Sequence, residues 1–304
     1  MAEMIPFDQR DGSLWLDGKI VPWQDAQIHV LTHGLHFASC VFEGERIYSG
    51  RIFKLEEHTK RLFNSAKILG INIPYTEEEI NRACYQAAEV QSIVDGYVRP
   101  VAFRGAATMP TVSAQHAGVH VAVAVWPWPS YFDPKEKLKG IRLDISDWRR
   151  PAPDTAPTSA KCAGLYMICT MSKHAAEAKG YSDALMFDYR GLVAEATGAN
   201  IFFVKDGRLH TPTPDCFLDG ITRRSVIALA KARQIPVHER AIARDELTGF
   251  EECFLTGTAA EVTPVSEIGP YRFKPATISE TLMNDYADEV RRPAPVAARI
   301  NANA

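Results

Sequence analysis

Two residues of this sequence have neighbours that could make them chemically reactive. Most lysines are solvated, but Lys161 lies in residues 157–164, whose other side chains are small and uncharged, so we expect it to be buried. Burial lowers the pKa of an amine and frees a nucleophilic lone pair. Glu195 shortly precedes the apolar residues 201–204, where it could cap a turn or pair with a buried cation. The sequence therefore offers a candidate nucleophile and a candidate acid.

Two further segments could bind an anion. Gly220 precedes a predicted helix that Thr222 could cap. Free amides at a helix start can hold a phosphate, and a glycine lets the backbone approach it. Residues 256–261 place hydroxyl and small side chains after a short apolar strand, which suits a second anion site. Taken alone, the first segment is better explained as an ordinary helix cap, and the second is explained equally well as a plain turn.

Together, the four segments suggest one site with an amine, an acid and phosphate-binding turns. Pyridoxal phosphate requires that set, because its aldehyde condenses with a lysine, its ring nitrogen needs an acid, and its phosphate needs amides and an arginine. The acid keeps the pyridine protonated, so that the ring withdraws electrons from the carbanion formed when a substrate loses its α-proton. We therefore expect pyridoxal 5'-phosphate as the cofactor.

Two groups of predicted elements would position these residues in an α/β (α+β) fold. In the first group, a hairpin turns at Asp17-Gly18, and Thr76 with Glu79 forms a capping box. In the second group, Asp206-Gly207 joins two strands. The patterns predict strands at residues 42–48, 52–53, 97–103, 119–126, 141–145, 184–188, 200–204, 208–211 and 253–255, and helices at residues 56–69, 76–90, 164–179 and 222–233.

The proline-rich and aromatic residues 126–134 are the best candidate for a connection between two domains. They combine three prolines with four aromatic residues, which excludes a helix or a central strand. Such a connection could bind a ligand, or it could be a surface loop with buried rings. We expect a small N-terminal domain, an interdomain loop, a large cofactor-binding domain and a disordered tail, at residues 1–125, 126–137, 138–290 and 291–304 respectively.

Composition excludes several classes of protein. The net charge of −3 gives no field that would attract nucleic acid or an anionic membrane, and the longest apolar run, residues 119–126, is too short to cross a bilayer. Residues 1–10 do not resemble a targeting signal. The six cysteines form no CxxC pair, which argues against a zinc site and for reduced, buried thiols. We therefore expect a soluble, cytoplasmic protein without a metal.

Motifs spread over nearly the whole chain, from about Trp15 to about Tyr286, carry a resemblance to a known family. They are residues 32–37, 41–44, 57–62 and 97–100, and the segments around Lys161, Glu195, Gly220 and Thr258. On these motifs the sequence resembles the class IV, fold-type IV aminotransferases, and most closely the bacterial branched-chain amino acid aminotransferases. The resemblance implies a two-domain fold-type IV structure, similar to D-amino acid aminotransferase, that binds pyridoxal 5'-phosphate.

The resemblance implies a role for each matching residue around the cofactor. Lys161 would hold the cofactor covalently and move a proton between substrate and cofactor carbons. Glu195 would pair with the ring nitrogen, and Tyr166 with the ring hydroxyl. The phosphate would be held by an arginine, two helix-start amides and one hydroxyl, from Arg61, Ile221, Thr222 and Thr258. The full implied cofactor set is Arg61, Lys161, Tyr166, Glu195, Gly198, Asn200, Leu218, Gly220, Ile221, Thr222, Gly257 and Thr258.

The resemblance also implies a substrate pocket built from both subunits of a homodimer. An aromatic box would bury aliphatic side chains, while Arg99, Tyr97 and turn amides would bind carboxylates, including the acidic side chain of glutamate. The sequence departs from the family at Phe37, where a tyrosine is common, and at Glu45, where the position is usually apolar. The implied substrate set is Phe37, Phe42, Gly44, Arg46, Tyr97, Arg99, Trp128, Tyr131, Thr258 and Ala259.

The implied activity is transamination between an L-branched-chain amino acid and 2-oxoglutarate. Residues 97–100 and Arg46 favour it, but residues 105–112 lack the glycine-rich pattern usual in this family. That difference keeps open a D-amino acid or (R)-amine transaminase on the same scaffold. An aminodeoxychorismate lyase fits the hydrophobic pocket less well. A non-catalytic cofactor-binding protein would have no need to keep Lys161, Tyr166 and Glu195 together.

Overall fold

A computed structural model describes residues 5–109, 111–128 and 134–292 of the 304-residue chain. Two β-sheets, each flanked by helices, make up this part of the protein. Within it, no helix combines the length and the apolar character that crossing a membrane requires.

The first sheet is built from the N-terminal part of the chain. Its strands are β1 (Ser13–Leu16), β2 (Lys19–Pro22), β3 (Cys40–Phe42), β4 (Glu45–Tyr48), β5 (Arg51–Ile52), β6 (Gly96–Arg104) and β7 (Val119–Pro127), and its helices are α1 (His33–His36), α2 (Leu55–Ile68) and α3 (Glu77–Glu89). The strand order is β2-β1-β7-β6-β4-β5, and β3 also pairs with β6. Helices α2 and α3 pack their apolar residues on the sheet around Leu62 and Ile80.

The second sheet has nine strands. They are β8 (Ile141–Arg150), β9 (Asp183–Asp188), β10 (Val193–Ala196), β11 (Asn200–Lys205), β12 (Arg208–Thr211), β13 (Val237–Glu239), β14 (Glu252–Gly257), β15 (Glu261–Ile268) and β16 (Tyr271–Arg272), accompanied by α4 (Pro134–Lys137), α5 (Tyr166–Ala178), α6 (Ile221–Ala232) and α7 (Thr277–Arg291). The order is β10-β9-β8-β15-β14-β11-β12-β13, with β16 beside β15. Short 3-10 helices occupy Phe7–Gln9, Trp23–Asp25, Ala163–Leu165 and Arg244–Gly249.

Local signals located many of these elements correctly. The capping box of Thr76 and Glu79 is present at the start of α3. Gly70, which follows α2, has a φ of +65°, a conformation that costs little for glycine and suits the end of a helix. The hairpin turns at Asp17-Gly18 and Asp206-Gly207 join β1 to β2 and β11 to β12.

The structure differs from the predictions of local pattern at several places. The strand expected at residues 42–48 is interrupted, because β3 ends before Gly44 and β4 begins after it. Helix α7 and strand β15 were not predicted at all. Strand β7 contains the predicted strand 119–126 and extends one residue further, although the prolines argued against a strand there; Pro127 occupies the last position, where a missing N–H costs the ladder little. Thr222 does not cap α6, because the cap residue is Gly220.

Other predictions fall wholly or partly outside the described residues. Residues 129–133 of the expected interdomain loop are not described, and α4 begins at Pro134, a position that suits proline. The expected tail starts one residue too early, since α7 continues to Arg291. Residues 293–304 lie outside the described part.

The two sheets share hydrophobic core, and Lys161 lies at their junction. Cys162 and Leu165 pack with the first sheet, whereas Tyr48 of β4 packs with α6 and α7. The backbone of Lys161 is bound on both sides, because its N–H donates to Ser65 Oγ at 2.9 Å and its carbonyl accepts from the Phe42 N–H at 3.1 Å. This residue is therefore anchored to α2 and β3 although it belongs to the C-terminal half of the sequence.

Glu45 is an isolated carboxyl in the core of the first sheet. It is fully buried, and neither carboxylate oxygen has a hydrogen-bond partner among the described residues. Burial, reinforced by the neighbouring Glu43, raises the pKa of Glu45 well above its usual range. An unpartnered buried polar group destabilises the folded state. A glutamate in place of the apolar residue usual at this position therefore lowers the stability of the folded protein.

Replacing Glu45 with leucine should therefore stabilise the protein. We expect Glu45→Leu to raise the free energy of unfolding near pH 8 by about 1–2 kcal/mol, because the side-chain volume is kept and the desolvated carboxyl is removed. Denaturant unfolding would measure the difference. The matched control is Glu78→Leu at an exposed position of α3, and an equal gain there, or a loss in Glu45→Leu, would contradict this interpretation.

Candidate active site

A cleft lined by α2, the start of α6 and the edge of the second sheet contains all twelve residues that the sequence placed at the cofactor. It encloses about 600 Å3 of space that is open to solvent. Six further residues line it that the sequence analysis did not identify: Arg150, Ala160, Leu165, Thr197, Ala199 and Thr256. Ala160 and Thr256 lie in the segments 157–164 and 256–261 that the sequence analysis singled out, whereas the other four, including the arginine at the end of β8, carried no local signal. The predicted set thus converges in space, while part of the wall was missed.

Lys161 points into this cleft beside an aromatic pair. Its Nζ donates a hydrogen bond of 2.7 Å to the Tyr166 hydroxyl and lies 4.9 Å from the centre of the Phe42 ring. The Phe42 and Tyr166 rings meet edge to face at 4.8 Å. Lys161 is half-buried, so the expected burial is only partial. Its amine can therefore reach a molecule in the cleft while Tyr166 fixes its direction.

Glu195 lies within β10, rather than in a turn before the next strand. Its Oε2 accepts a hydrogen bond of 3.0 Å from Asn200 Nδ2, and its Oε1 lies 3.5 Å from Nε of the buried Arg150. Burial raises the pKa of the Glu195 carboxyl to about 7, against the opposing effect of Arg150 and Lys161. A carboxyl in this state can give its proton to a basic ring nitrogen and then pair with the resulting cation.

Asn200 connects that acid to the anion-binding turn. Its Nδ2 also donates to the Leu218 carbonyl at 3.0 Å, and its Oδ1 accepts from the Gly220 N–H at 3.2 Å. A Cβ on Gly220 would overlap this Oδ1, so glycine is required there. Helix α6 begins immediately afterwards, and the amides of Ile221 and Thr222 have no partner within the helix. The Asn200 side chain thus fixes the position of Glu195 relative to the start of α6.

Arg61 is held at the other side of the cleft by a buried carboxylate. Its Nε and Nη2 donate to Oε1 and Oε2 of Glu43 at 2.7 and 2.8 Å, and His58 Nδ1 lies 2.7 Å from Oε2. Burial alone would raise the pKa of Glu43, but Arg61 and His58 outweigh it and hold that pKa well below its usual range. Both partners lie inside the motifs at residues 41–44 and 57–62, yet their pairing was not predicted.

Several predicted substrate residues form an aromatic wall, consisting of Phe42, Tyr97 and Trp128. The Tyr97 and Trp128 rings lie 5.5 Å apart. The Arg99 guanidinium stacks over Phe42 at 4.9 Å and donates to the Tyr97 hydroxyl at 3.3 Å. A Cβ on Gly44 would overlap that hydroxyl, which explains the glycine. The wall therefore presents apolar surface with one cation at its edge.

The other predicted substrate residues are not all brought to this wall. Phe37 is exposed, and its described ring contacts are with His33 and His36. Arg46 is almost completely buried, and its Nη2 donates to the Trp128 carbonyl at 3.0 Å. Thr258 and Ala259 lie in the turn between β14 and β15. Tyr131 lies outside the described residues.

The donors in the cleft fit pyridoxal phosphate. Arg61 and the free amides at the start of α6 suit a phosphate, Glu195 suits a ring nitrogen, and Lys161 suits an aldehyde. The buried Thr256 hydroxyl, which lines the cleft, has no hydrogen-bond partner among the described residues and offers a further donor. The cleft therefore has a partner for each functional group of that cofactor.

Comparisons with known proteins point to the same chemistry. The family described as "Amino-transferase class IV" matches residues 40–268. The "Probable branched-chain-amino-acid aminotransferase" of Rickettsia conorii is 40% identical over 293 residues, which is 95% of this chain and 99% of that protein. The "Branched-chain-amino-acid aminotransferase" of Pseudomonas aeruginosa is 40% identical over 290 residues, covering 92% of this chain and 94% of that protein.

A solved structure matches the whole architecture. It is a branched-chain amino acid aminotransferase from T.th., crystallised with pyridoxamine 5'-phosphate, and it matches at a TM-score of 0.90 and 38% identity, covering 93% of this chain and 96% of that one. The fold predicted from the sequence motifs, that of the fold-type IV aminotransferases, is confirmed by these matches.

The perturbed Glu195 carboxyl predicts a pH-dependent stability. Its pKa rises from an ordinary 4.5 to about 7 on folding, so the folded protein binds the extra proton and loses stability as the pH rises through that window. Relative to Glu195→Gln, wild-type protein freed of small molecules should lose about 3 kcal/mol of unfolding free energy between roughly pH 4 and pH 8. Denaturant unfolding at several pH values would measure the difference.

The matched control is Glu267→Gln, in which an ion pair to the exposed Arg142 is lost. The pKa of Glu267 is lowered, not raised, chiefly by hydrogen bonding to Arg142. Its pH profile should therefore deviate from wild type in the opposite direction. Parallel curves for Glu195→Gln and wild type would show that the Glu195 carboxyl carries no burial penalty.

Proposed function

The chain belongs to the class IV aminotransferases, and from that membership we propose that it transfers an amino group between a branched-chain L-amino acid and 2-oxoglutarate. The observation that carries the proposal is the convergence of Lys161, Tyr166, Glu195 and Arg61 in one cleft, in a chain whose relatives bear that activity in their names. The cofactor is pyridoxal 5'-phosphate. When bound, it supplies an aldehyde that takes up the amino group and a ring that withdraws electrons from the substrate α-carbon.

The residues at the cleft divide the catalytic work. Lys161 Nζ would hold the cofactor and carry the proton between substrate and cofactor carbons, and the Tyr166 hydroxyl at 2.7 Å fixes the direction of that amine. Glu195 keeps the ring nitrogen protonated, which a carboxyl buried beside Arg150 can do through a single shared proton. Because the enzyme stores the amino group between its two half-reactions, the reaction should follow ping-pong kinetics.

Phosphate binding rests on fixed donors. The Arg61 guanidinium is oriented by Glu43, and the start of α6 is oriented by Asn200 through Gly220. Amides and a guanidinium that are already in place lose little freedom when the anion binds, so the binding energy is retained. We assign to Gly198 and Gly257 the role of letting the backbone approach the cofactor closely, and to Leu218 that of holding the Asn200 amide with its carbonyl.

The aromatic wall gives the substrate preference. Phe42, Tyr97 and Trp128 offer apolar surface to an aliphatic side chain. Arg99, at the edge of the wall, offers a cation to the second carboxylate of 2-oxoglutarate. A single pocket can in this way accept an uncharged and an acidic side chain in turn.

An exposed apolar patch supports a homodimer. Its members lie in residues 28–37 and in the loop around residues 109–112, and His33 Nε2 contacts the Val112 carbonyl at 3.2 Å, which joins the two segments. The patch consists of Ile28, Val30, Leu31, Leu35, Phe37, Met109 and Val112, all more than 40% exposed. A patch of this kind marks an association surface. A dimer formed through this patch would also explain the predicted role of Phe37. Because this residue is exposed, it can contribute to a substrate pocket only if it reaches the pocket of a partner subunit.

We also place the enzyme in the cytoplasm. Five of its six free cysteines are buried and Cys40 is half-buried. Burial raises the pKa of Cys40 and Cys169 to about 11, which keeps both thiols protonated and unreactive. Free thiols of this kind are typical of a reducing compartment.

Substrate conversion and covalent labelling test the proposal together. L-leucine, L-isoleucine and L-valine should each react with 2-oxoglutarate, and D-alanine and (R)-1-phenylethylamine should not. Reduction with borohydride should fix the cofactor to the peptide containing Lys161, and Lys161→Ala should lose both the label and about 10⁴-fold of the rate.

The matched control for the lysine is Lys179→Ala, at an exposed lysine that pairs with Asp144, and it should leave both readouts unchanged. A label on another peptide would refute the role of Lys161. Turnover of the D-amino acid or the (R)-amine without turnover of the L-branched set would replace the proposed substrate class by its rival on the same scaffold.

Removing the Arg99 guanidinium from the aromatic wall should affect the KM values for 2-oxoglutarate and L-leucine differently. We expect Arg99→Met to raise the KM for 2-oxoglutarate by about tenfold or more, because a charge-assisted hydrogen bond is lost, and to change the KM for L-leucine less. Steady-state kinetics with each substrate varied would measure the ratio. Arg272→Met, at an exposed arginine of β16, is the control, and equal changes in both KM values for Arg99→Met would contradict the selective role.

A further inference from the structure

We propose that Glu261 is a positioning residue that fixes the turn at residues 258–260 against Arg46 and Trp128 and so sets how tightly the substrate carboxylate is held. The inference rests on the proposed function, since it assumes that Thr258, Ala259 and Trp128 line the substrate pocket. Glu261 is the last residue of the segment 256–261, but no role was predicted for it and it is not among the residues that line the cofactor cleft.

Glu261 closes the turn that carries two of the predicted substrate residues. It is the first residue of β15 and pairs with Gly257, the last residue of β14. Its φ of +53° is in the left-handed region, which is unusual for a residue with a long side chain. Such a conformation persists only where the surroundings hold it in place. The contacts of the Glu261 side chain, on both of its carboxylate oxygens, are what we hold responsible for this conformation.

One carboxylate oxygen binds the first sheet. The Tyr48 hydroxyl donates to Glu261 Oε1 at 2.9 Å, and Arg46 Nη1 lies 3.6 Å from the same oxygen. The Arg46 guanidinium also stacks over the Tyr48 ring at 4.8 Å. Both residues belong to β4, so Glu261 ties the start of β15 in the second sheet directly to a strand of the first.

Arg46 carries this contact on to the aromatic wall. Its Nη2 donates to the Trp128 carbonyl at 3.0 Å, and Arg46 lies directly opposite Tyr97 in the pairing of β4 with β6. Its side chain is only 3% exposed. We therefore revise its predicted role, because Arg46 acts on the substrate through Trp128 and not by contact.

The second carboxylate oxygen binds the segment that enters the second sheet. Lys137 Nζ donates to Glu261 Oε2 at 2.8 Å from the end of α4. Both side chains are about one-seventh exposed, at 14% and 15%, so solvent screens the pair only weakly. Glu261 is in this way the common acceptor for donors from β4 and α4.

The charge state of Glu261 is consistent with this role. Burial alone would raise the pKa of its carboxyl, but Lys137, Arg46 and Tyr48 together lower it below the usual range. The carboxylate is therefore ionised at neutral pH. Glutamine at this position would keep the shape and one acceptor while removing the charge that the two cations share.

The test compares Glu261→Gln with wild-type holoenzyme. KM values for L-leucine and 2-oxoglutarate should rise about tenfold, as expected for loss of hydrogen bonds to a charged group, while kcat and the cofactor dissociation constant change less than about threefold. Binding of 4-methylpentanoate, which is leucine without its amino group, should weaken by a similar factor. Titration of the cofactor absorbance would follow that binding without turnover.

Two further variants make the result specific. Tyr48→Phe removes the hydroxyl that donates to Glu261, so it should raise both KM values about threefold and leave kcat and the cofactor dissociation constant nearly unchanged. If Glu261→Gln does not fold, Tyr48→Phe is compared with wild type in its place. The double variant should lose less than the product of the single effects, because both changes break one contact. Glu267→Gln, on the same strand but facing Arg142, is the matched control and should behave as wild type.

Three outcomes would overturn the proposal. They are unchanged KM values and 4-methylpentanoate binding in Glu261→Gln; a fall in kcat and cofactor affinity in step with thermal stability, which would indicate a merely structural role; and equal effects in Glu267→Gln. If wild type does not use L-leucine, the proposed substrate class is wrong. The same comparison, made with the best donor found, then still tests Glu261.

Discussion

A buried carboxylate must be paired, and the pairing of Glu43 with Arg61 is the contact on which the cleft depends. Glu43 follows β3 and Arg61 lies on α2, so this ion pair fixes the helix to the first sheet at the edge of the site. Because two of the guanidinium nitrogens are used by Glu43, the position of Arg61 is set before any anion arrives. His58 binds the same carboxylate and prevents it from rotating away.

A second set of contacts, made by Asn200, fixes the residues on the other side of the cleft. Asn200 binds Glu195, the Leu218 carbonyl and the Gly220 amide with one side chain. The acid for a ring nitrogen and the amides for a phosphate are consequently held at a constant separation. Lys161 is placed between them by backbone hydrogen bonds to Ser65 and Phe42, which belong to the other half of the chain. The site is thus assembled by both halves of the chain.

The buried carboxyl groups of this protein fall into two kinds with different consequences. Glu43 and Glu261 each have several donors, and their lowered pKa values show that these contacts outweigh burial. Glu45 has no hydrogen-bond partner in the described part of the chain, and Glu195 lies farther from its cation than a hydrogen bond, so burial raises the pKa of both. Paired carboxylates hold elements together, whereas Glu195 keeps a proton available where the chemistry needs one.

Local chemistry in the sequence pointed to the cofactor, while the motifs that resemble the class IV aminotransferases indicated the family and implied the twelve residues predicted to bind that cofactor. Helix caps, hairpin turns and the small uncharged neighbours of Lys161 depend only on nearby residues, so they can be read along the chain. Which side chains pair was decided by tertiary structure alone. Tyr48 and Glu261 are 213 residues apart, and Arg61 reaches Glu43 only because α2 packs beside β3. No periodicity encodes such contacts, since they arise when two sheets bury a common core and bring distant charges to one place.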